Sequence, residues 1–138
     1  MKSERKDTWA ASIPDRPGAL AAKLKALAAG GANFELIIAR RLGGEGGKSI
    51  VFVTPISGAK QIGAAGAAGF SKSSSLHTIR AEGPDKPGAA ARVAAAVADL
   101  GLNLRGFSAA AIGKKFICHL ALDTEADAVK AARALKEL

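Results

Sequence analysis

Two stretches of the sequence carry polar residues, prolines and glycines whose types and spacing suit the binding of an anion. The first covers residues 15–33, and the second repeats it without a gap 70 residues later, at residues 85–103. Glycines ahead of a helix-forming run leave the backbone N–H groups of the first helical turn open to a ligand. The recurring residues are Asp15, Pro17, Gly18, Gly31 and Asn33, which return as Asp85, Pro87, Gly88, Gly101 and Asn103.

Each Asp-x-Pro-Gly segment is predicted to open a helix. Asp15 and Asp85 are expected to be N-caps, because an Asp carboxylate accepts hydrogen bonds from free N–H groups of the first turn. Proline is tolerated there because it lacks an N–H that a helix would leave unpaired. A helix N-terminus also carries partial positive charge, so it can hold a carboxylate beside Gly18 or Gly88. The alternative is that the segment only starts a helix.

The two recurring asparagines follow the helices and could also contact a small ligand. Asn33 and Asn103 each offer one acceptor and two donors, enough to bind an ammonium or a carboxylate. Arg16 and Lys86 add positive charge at the rim of the candidate site. The alternative is that each asparagine only completes a turn, because Asn tolerates left-handed conformations and bonds its own backbone.

The first half of the chain has a clear order of predicted elements. Alternating residues 8–13 predict a half-buried strand, and Leu20, Leu24 and Leu27 form the apolar stripe of a helix. A hairpin with a glycine-rich connection and a second helix follow, at residues 34–41, 49–54 and 59–68. Glycines cost stability inside a helix, so we expect this one to be weak or pressed close against something. The glycines concerned are Gly63, Gly66 and Gly69.

The second half repeats this order. Its strands are predicted at residues 76–81, 104–110 and 115–122, and its helices at residues 86–100 and 125–138. The first of these helices has its apolar stripe at Val93, Val97 and Leu100, and the second faces inward with its alanines and Leu135. The inward alanines are Ala128, Ala131 and Ala132.

Each half therefore has the order β-α-β-β-α, which is the ferredoxin-like order without its last strand. Residues 70–75 are predicted to be a loop. We predict an α+β fold of two ferredoxin-like repeats, residues 1–72 and residues 73–138, with antiparallel sheets covered by helices. The last strand of each repeat is predicted to be missing, or supplied by the other repeat or by a second chain.

The repeated pattern resembles the ACT domain, a module that senses small molecules, and two copies resemble a tandem ACT-domain protein. The resemblance implies regulation without catalysis, with an amino acid or similar ligand held between paired domains. It implies contacts from the loop after the first strand and from the start of the second strand. The ligand-binding residues implied by matching position are Asp15, Arg16, Pro17, Gly18, Ala19 and Asn33, and Asp85, Lys86, Pro87, Gly88, Ala89 and Asn103.

Charge and composition limit the classes of partner. The chain has 138 residues and a net charge of +8, but its basic residues are scattered, which favours general attraction of anions over a nucleic-acid site. One cysteine cannot form an intramolecular disulfide, and no apolar run approaches the ~20 residues that cross a bilayer. We expect a cytoplasmic protein without membrane contact. Because an open sheet edge invites pairing with another strand, we also expect a homodimer, or an edge-to-edge sheet formed by the two repeats.

Several weaker motifs do not indicate a catalytic, cofactor or metal site. Residues 44–49 end like a phosphate-binding loop, but Leu42 stands where its first glycine is needed. Cys118 and His119 are adjacent and would point to opposite faces of a strand, without zinc-ligand spacing to His77. Residues 73–75 are serines without an activating histidine and aspartate pattern. We therefore expect no enzyme activity, cofactor or bound metal.

Two further functions remain open at this point. One is an interaction scaffold without a ligand. The other is RNA binding, because RNA-recognition modules share the ferredoxin-like order and stack bases on aromatic strand residues. Phenylalanines do lie in predicted strands, but the basic-glycine-aromatic motif of those modules is absent from the sequence. The phenylalanines are Phe34, Phe52, Phe107 and Phe116.

Overall fold

The computed structural model describes residues 1–43 and 46–138. Gly44 and Glu45, in the predicted glycine-rich connection and the rejected phosphate-binding motif, lie outside the described residues. In chain order the elements are β1 (Lys2–Lys6), β2 (Trp9–Pro14), α1 (Ala19–Ala29), β3 (Leu36–Arg41), β4 (Lys48–Thr54), α2 (Ala59–Ala67), β5 (Ser71–Lys72), β6 (His77–Pro84), α3 (Ala89–Asp99), β7 (Leu104–Ile112), β8 (Lys115–Leu122) and α4 (Glu125–Lys136).

The chain divides into two compact units. The first unit is Asp7–Ser73, and the second unit combines Met1–Lys6 with Ser74–Leu138. Each unit holds one four-stranded sheet whose neighbouring strands are all antiparallel. The predicted α+β fold with two ferredoxin-like repeats is confirmed.

The first unit contains its own last strand. Its sheet has the order β3-β4-β2-β5, and β5 pairs with β2 through Trp9 with Lys72 and Ala10 with Ser71. The prediction of a loop throughout residues 70–75, and of a last strand missing or supplied from elsewhere in this repeat, was wrong. A strand of two polar residues has no apolar alternation, so the usual strand signal was absent.

The second unit takes its last strand from the beginning of the chain. Its sheet has the order β1-β6-β8-β7, and β1 pairs with β6 from Lys2 opposite Glu82 to Lys6 opposite Thr78. This confirms the predicted alternative in which the last strand of a repeat is supplied from elsewhere. The predicted range of the first repeat, residues 1–72, had assigned β1 to the first unit. The sequence KSERK of β1 lacks the apolar alternation that predicts a strand, because its one buried residue is Ser3.

Helices and sheet bury an aliphatic core within each unit. Leu27 of α1 is fully buried against Val51 and Val53 of the first sheet. In the second unit Val93 and Val97 of α3 are buried as predicted. Leu100 is 43% exposed, because α3 ends at Asp99 and the predicted stripe does not continue past it. The inward face predicted for α4 is confirmed at Ala128, Ala131, Ala132 and Leu135.

The single cysteine belongs to this core. Cys118 of β8 is fully buried beside the helices, and burial raises the pKa of its thiol to about 11. A thiol with a raised pKa is a poor nucleophile at neutral pH, because the thiolate is the reactive form. Among the helices of the described residues, none combines the length and the apolar character needed to span a membrane.

The close contact between α1 and α2 depends on a glycine outside α2. A Cβ placed on Gly30, just past α1, would lie 2.5 Å from the Cβ of Ala64. Of the two expectations for α2, a weak helix or one pressed against a neighbour, the second does not hold at Gly63 and Gly66, where a Cβ would meet nothing within 4 Å. Gly69 instead follows the end of α2, with a φ of 89° that favours glycine.

We predict opposite effects for two glycine-to-alanine changes in the first unit. Gly30→Ala should lower the free energy of unfolding by about 1–3 kcal/mol, because the added methyl group overlaps Ala64. Gly63→Ala should raise it by up to ~1 kcal/mol, because alanine favours the helix and the space is open. Urea unfolding followed by fluorescence of Trp9, the single tryptophan, measures both. Shifts of the same sign in the two variants would contradict this account of the helix contact.

A charged cluster anchors β1 to the rest of the second unit. The Nε of Arg5 donates to Glu125 Oε1 at 3.0 Å, and a second guanidinium nitrogen donates to Oε2 at 2.5 Å. Arg5 also donates to the carbonyl oxygen of Thr78. His77 Nδ1 lies 3.1 Å from Glu125 Oε2. The hydrogen bonds from Arg5, with help from His77, lower the pKa of Glu125 to about 2.

This cluster predicts an acid-sensitive contribution to stability. The pKa of Glu125 is lowered in the folded state from an ordinary 4.5, so its contribution is complete above pH 4.5 and is lost as the pH falls towards about 2. The stability difference between the wild type and Glu125→Gln should therefore shrink over that range. The exposed Glu137→Gln variant is the control, and urea unfolding across the range is the measurement. An unchanged difference for Glu125→Gln would contradict the anchoring role.

Candidate functional site

The repeated Pro-Gly pair forms a type II β-turn before each first helix. In the first unit the N–H of Ala19 donates to the carbonyl of Arg16 at 3.3 Å, with Pro17 and Gly18 at the centre. Gly18 has φ 86° and ψ −12°, the geometry of the third residue of such a turn. The second unit repeats the turn at residues 86–89, where the bond is 3.1 Å and the glycine has φ 81°. Positive φ explains why glycine recurs there.

The predicted N-capping role of Asp15 and Asp85 was wrong. The helices begin at Ala19 and Ala89, their N-cap residues are the turn glycines, and no side chain caps either of them. The turn separates each aspartate from its helix by three residues, which places the carboxylate out of the capping position.

Both aspartates instead join the first strand to the hairpin of their own unit. The N–H of Asp15 donates to the carbonyl of Gly47 at 2.5 Å, and its Oδ2 lies 2.7 Å from Nε of Arg41. The N–H of Asp85 donates to the carbonyl of Lys114 at 2.9 Å. The recurring aspartate therefore occupies the same backbone position in both units.

Because no side chain caps these helices, their first turns keep free donors. The first intrahelical bond in α1 joins the N–H of Ala22 to the carbonyl of Gly18 at 2.9 Å. Within the described residues, the N–H groups of Leu20 and Ala21 have no partner. A Cβ on Gly18 would meet nothing within 4 Å, so the approach is open. In the second unit, the N–H groups of Ala90 and Ala91 likewise have no partner among the described residues, and a Cβ on Gly88 would meet nothing within 4 Å.

The other recurring glycine ends the helix. The N–H of Gly31 donates to Ala28 at 2.9 Å, and the N–H of Ala32 donates to Leu27 at 3.1 Å. These two bonds and the φ of 90° at Gly31 define a Schellman motif. Residues 97–102 form the same motif around Gly101, whose φ is 71°.

Asn33 and Asn103 lie at the opposite ends of their units from the turns. Each is exposed and comes two residues after the glycine that ends the helix. The helix between turn and asparagine has 11 residues in both units, so it is about 16 Å long. One unit therefore does not bring the turn and the asparagine together, and the resemblance implied a ligand held between paired domains. The helix length would have shown this separation in the sequence.

Two surface depressions that the sequence did not indicate lie at equivalent places in the units. The first has a volume of about 350 Å³ and the second about 300 Å³. Each lies where the first strand of its unit ends beside the hairpin, and neither includes a predicted ligand-binding residue. The first is lined by Ser12, Ile13, Pro14, Gly46, Gly47 and Lys48, and the second by Lys2, Glu82, Gly83, Pro84, Lys114 and Lys115.

The other candidate residues do not gather into a metal site. Over residues 1–43 and 46–138, no group of three His, Cys, Asp or Glu side chains is placed to hold an ion. His77 contacts Glu125, and Cys118 is fully buried in the core.

Comparison with known proteins identifies the second unit. Residues 77–138 match the ACT domain family. Residues 77–138 are an ACT domain. This confirms the resemblance inferred from the repeated motif, and the chain as a whole has an ACT-like fold of two ferredoxin-like repeats. The family assigns a ligand-sensing, regulatory role to such a module.

Solved structures share the fold over nearly the whole chain. The protein BT0572 from Bacteroides thetaiotaomicron has a TM-score of 0.78 at 14% identity, covering 99% of this chain and 90% of its own. The regulatory subunit of aspartate kinase from Thermus thermophilus, in its ligand-free form, has a TM-score of 0.66 at 20% identity, covering 98% and 93%. The corresponding subunit from Thermus flavus has a TM-score of 0.62 at 19% identity, covering 98% and 94%. A comparison with curated proteins found no match.

Proposed function

We propose that this protein is a non-catalytic regulatory protein that binds an amino acid between paired ACT-like domains. The observation that carries the proposal is the pair of free N–H groups behind an uncovered glycine, present at Leu20 and Ala21 and again at Ala90 and Ala91. Donors at a helix N-terminus and the partial positive charge there favour a carboxylate. An amino acid supplies that carboxylate together with an ammonium group.

The ammonium group would be recognised by an asparagine of a paired domain. Asn33 and Asn103 are exposed, and each amide oxygen can accept a hydrogen bond from an ammonium. Since 11 helical residues separate turn and asparagine within one unit, a single ligand can contact both only if they come from different domains. In this proposal Asp15 to Ala19, or Asp85 to Ala89, form one side of the site and an asparagine the other.

The open edges of the sheets support such pairing. β3 and β7 are edge strands at equivalent positions, and each starts within three residues of its asparagine. Each ends at the same end of the sheet as the turn of its unit. Antiparallel pairing of two such edges would therefore place the asparagine end of one domain beside the turn end of the other. An unpaired edge strand readily accepts a strand from another chain.

We predict that the protein is a homodimer in solution and that its sheet edges hold it together. Exposed apolar residues on these edges include Ile37 of β3 and Ile112 of β7, which are 40% and 65% exposed. Light scattering should give twice the mass of the chain. The combined change Ile37→Lys and Ile112→Lys should give a monomer, because lysines on an edge oppose pairing. Val129→Lys, an equally polar change on α4, is the control. A monomeric wild type would contradict the proposal.

A thermal-shift screen with the twenty amino acids tests the ligand. An amino acid that binds only the native state should raise the melting temperature. The amide derivative of the hit should bind about tenfold or more weakly, because it lacks the carboxylate that the free N–H groups would hold.

Asn33→Ala and Asn103→Ala, measured separately by titration calorimetry, then identify the occupied site. We expect at least one of them to weaken the hit by about tenfold. Unchanged affinity in both variants would contradict the site. The absence of any hit at millimolar concentration would favour the scaffold function, and salt-sensitive nanomolar binding of mixed RNA would favour RNA recognition.

A further inference from the structure

The two equivalent depressions have the same backbone framework but different charge. In each, the proline that ends the first strand lies opposite the lysine that opens the third, Pro14 opposite Lys48 and Pro84 opposite Lys115. Among residues 1–43 and 46–138, those that line the first depression include no other lysine and no acidic side chain. The second gains Lys2, Lys114 and Glu82. Among the described lining residues, the first depression therefore has a single lysine, whereas the second has three lysines and one carboxylate.

The additional lysines come from the edge strand β1 and from the turn between β7 and β8. Lys2 belongs to β1, where it lies opposite Glu82. The corresponding strand of the first unit, β5, pairs only with Trp9 and Ala10 and does not extend to the depression. Lys114 lies in the tight turn between β7 and β8, and its carbonyl accepts the N–H of Asp85. Its backbone position is thereby fixed, while its side chain is exposed.

The single carboxylate of the second depression is already compensated. Glu82 accepts a hydrogen bond from Arg80, with 2.7 Å between Nη1 and Oε2, and this contact holds its pKa below the ordinary value. Lys115 Nζ is 3.6 Å from the other carboxylate oxygen. In the part of the chain that the structure describes, Lys2 and Lys114 have no carboxylate within ion-pair distance. Lys2 is close enough to Glu82 to help lower the pKa of that carboxyl, but Arg80 and Lys115 make the closer contacts with it, so the depression keeps more positive than negative charge.

We propose that this depression binds a small anion with two or more negative charges, of the phosphate or diphosphate class. Lysine ammonium groups act as point charges with three donors each, which suits the several oxygen atoms of a phosphate. A volume of about 300 Å³ is at the lower end of small-molecule sites, so a compact ligand fits it. An amino acid carboxylate would leave one of the two lysines uncompensated.

This site is separate from the proposed amino-acid site. Glu82 is next to Ala81, whose side chain is fully buried towards α3 and α4, so Glu82 lies on the opposite face of the sheet. The free N–H groups of Ala90 and Ala91 lie on the helix side. Because Lys2 is part of β1, a bound anion would also stabilise the pairing of β1 with β6.

The test is titration calorimetry of the full chain with sodium pyrophosphate at low ionic strength. We expect one site per chain, and we expect the combined change Lys2→Ala and Lys114→Ala to weaken binding by about tenfold or more. The combined change Lys130→Ala and Lys136→Ala removes the same charge from α4 and should weaken binding by less than about twofold. Lys48→Ala, in the first depression, should also have little effect on the affinity for pyrophosphate. Unchanged circular dichroism spectra show that each variant is folded.

The absence of any heat of binding at millimolar pyrophosphate would overturn the proposal. So would equal weakening by the two double variants, or a loss of affinity in Lys48→Ala as large as that in the Lys2 and Lys114 double variant. Tighter binding of a single-stranded oligonucleotide that both double variants weaken equally would also overturn it, in favour of general attraction of polyanions. Parallel titrations with orthophosphate and metal-free ATP show whether the depression recognises phosphate groups alone or a nucleotide. Equal affinity for pyrophosphate and ATP indicates recognition of phosphate alone, and tighter ATP binding indicates a nucleotide.

The two proposed sites can fail independently. The Lys2 and Lys114 double variant should leave the affinity for the amino-acid hit unchanged, because the depression lies on the face of the sheet opposite the helices and the backbone bond from Asp85 to Lys114 does not depend on the lysine side chain. Likewise, Asn33→Ala and Asn103→Ala should leave pyrophosphate binding unchanged. A loss of pyrophosphate binding in the asparagine variants would contradict the separation of the sites.

Discussion

The positive φ of Gly18 and Gly88 determines how each first strand passes into its helix. A residue with a side chain would strain this part of a type II turn, and proline before it fixes the preceding φ. The turn moves the preceding aspartate away from the helix and leaves the first helical N–H groups uncapped. One backbone requirement therefore accounts both for the recurring Pro-Gly pair and for the donors on which ligand binding would depend.

The second unit is completed by residues that are far apart in sequence. β1 lies before the whole first unit in the chain, and it joins β6 and the cluster in which Arg5 binds Glu125, 120 residues away. Contacts of such separation form late and carry a large loop-closure cost. The first unit is continuous in sequence and meets no such requirement. The edge of β6 is therefore covered only when the start of the chain returns to it.

Much of this fold was readable from local patterns. The repeat, the element order and the inward faces of α1 and α4 follow from glycine spacing and apolar periodicity, which act within a few turns of the chain. β1 and β5 were missed because edge strands made of charged or short polar sequence bury almost nothing. The close approach at Gly30 depends on where α2 packs, which no local pattern encodes.

The candidate site was predictable in its parts and not in its assembly. Residue types pointed to the Asp-x-Pro-Gly segments and the asparagines but not to the β-turn, and the helix between them places these groups at opposite ends of one unit. The two depressions depend on strand register, which pairs Pro14 with Lys48 and Pro84 with Lys115 and cannot be read from either strand alone. Sequence therefore indicated which groups were available, whereas topology decided which of them can share a ligand.

Duplication of one framework allows its copies to differ in charge without a change of backbone. The turn, the Schellman ending and the contact from aspartate N–H to hairpin carbonyl are the same in both units. Surface lysines near such a fixed frame can be gained at little structural cost, because exposed positions tolerate substitution. Lys2 differs from the other lysines, since it reaches the second depression only because β1, from the start of the chain, pairs with β6. The feature that completes the second sheet also supplies part of the charge that separates the second depression from the first.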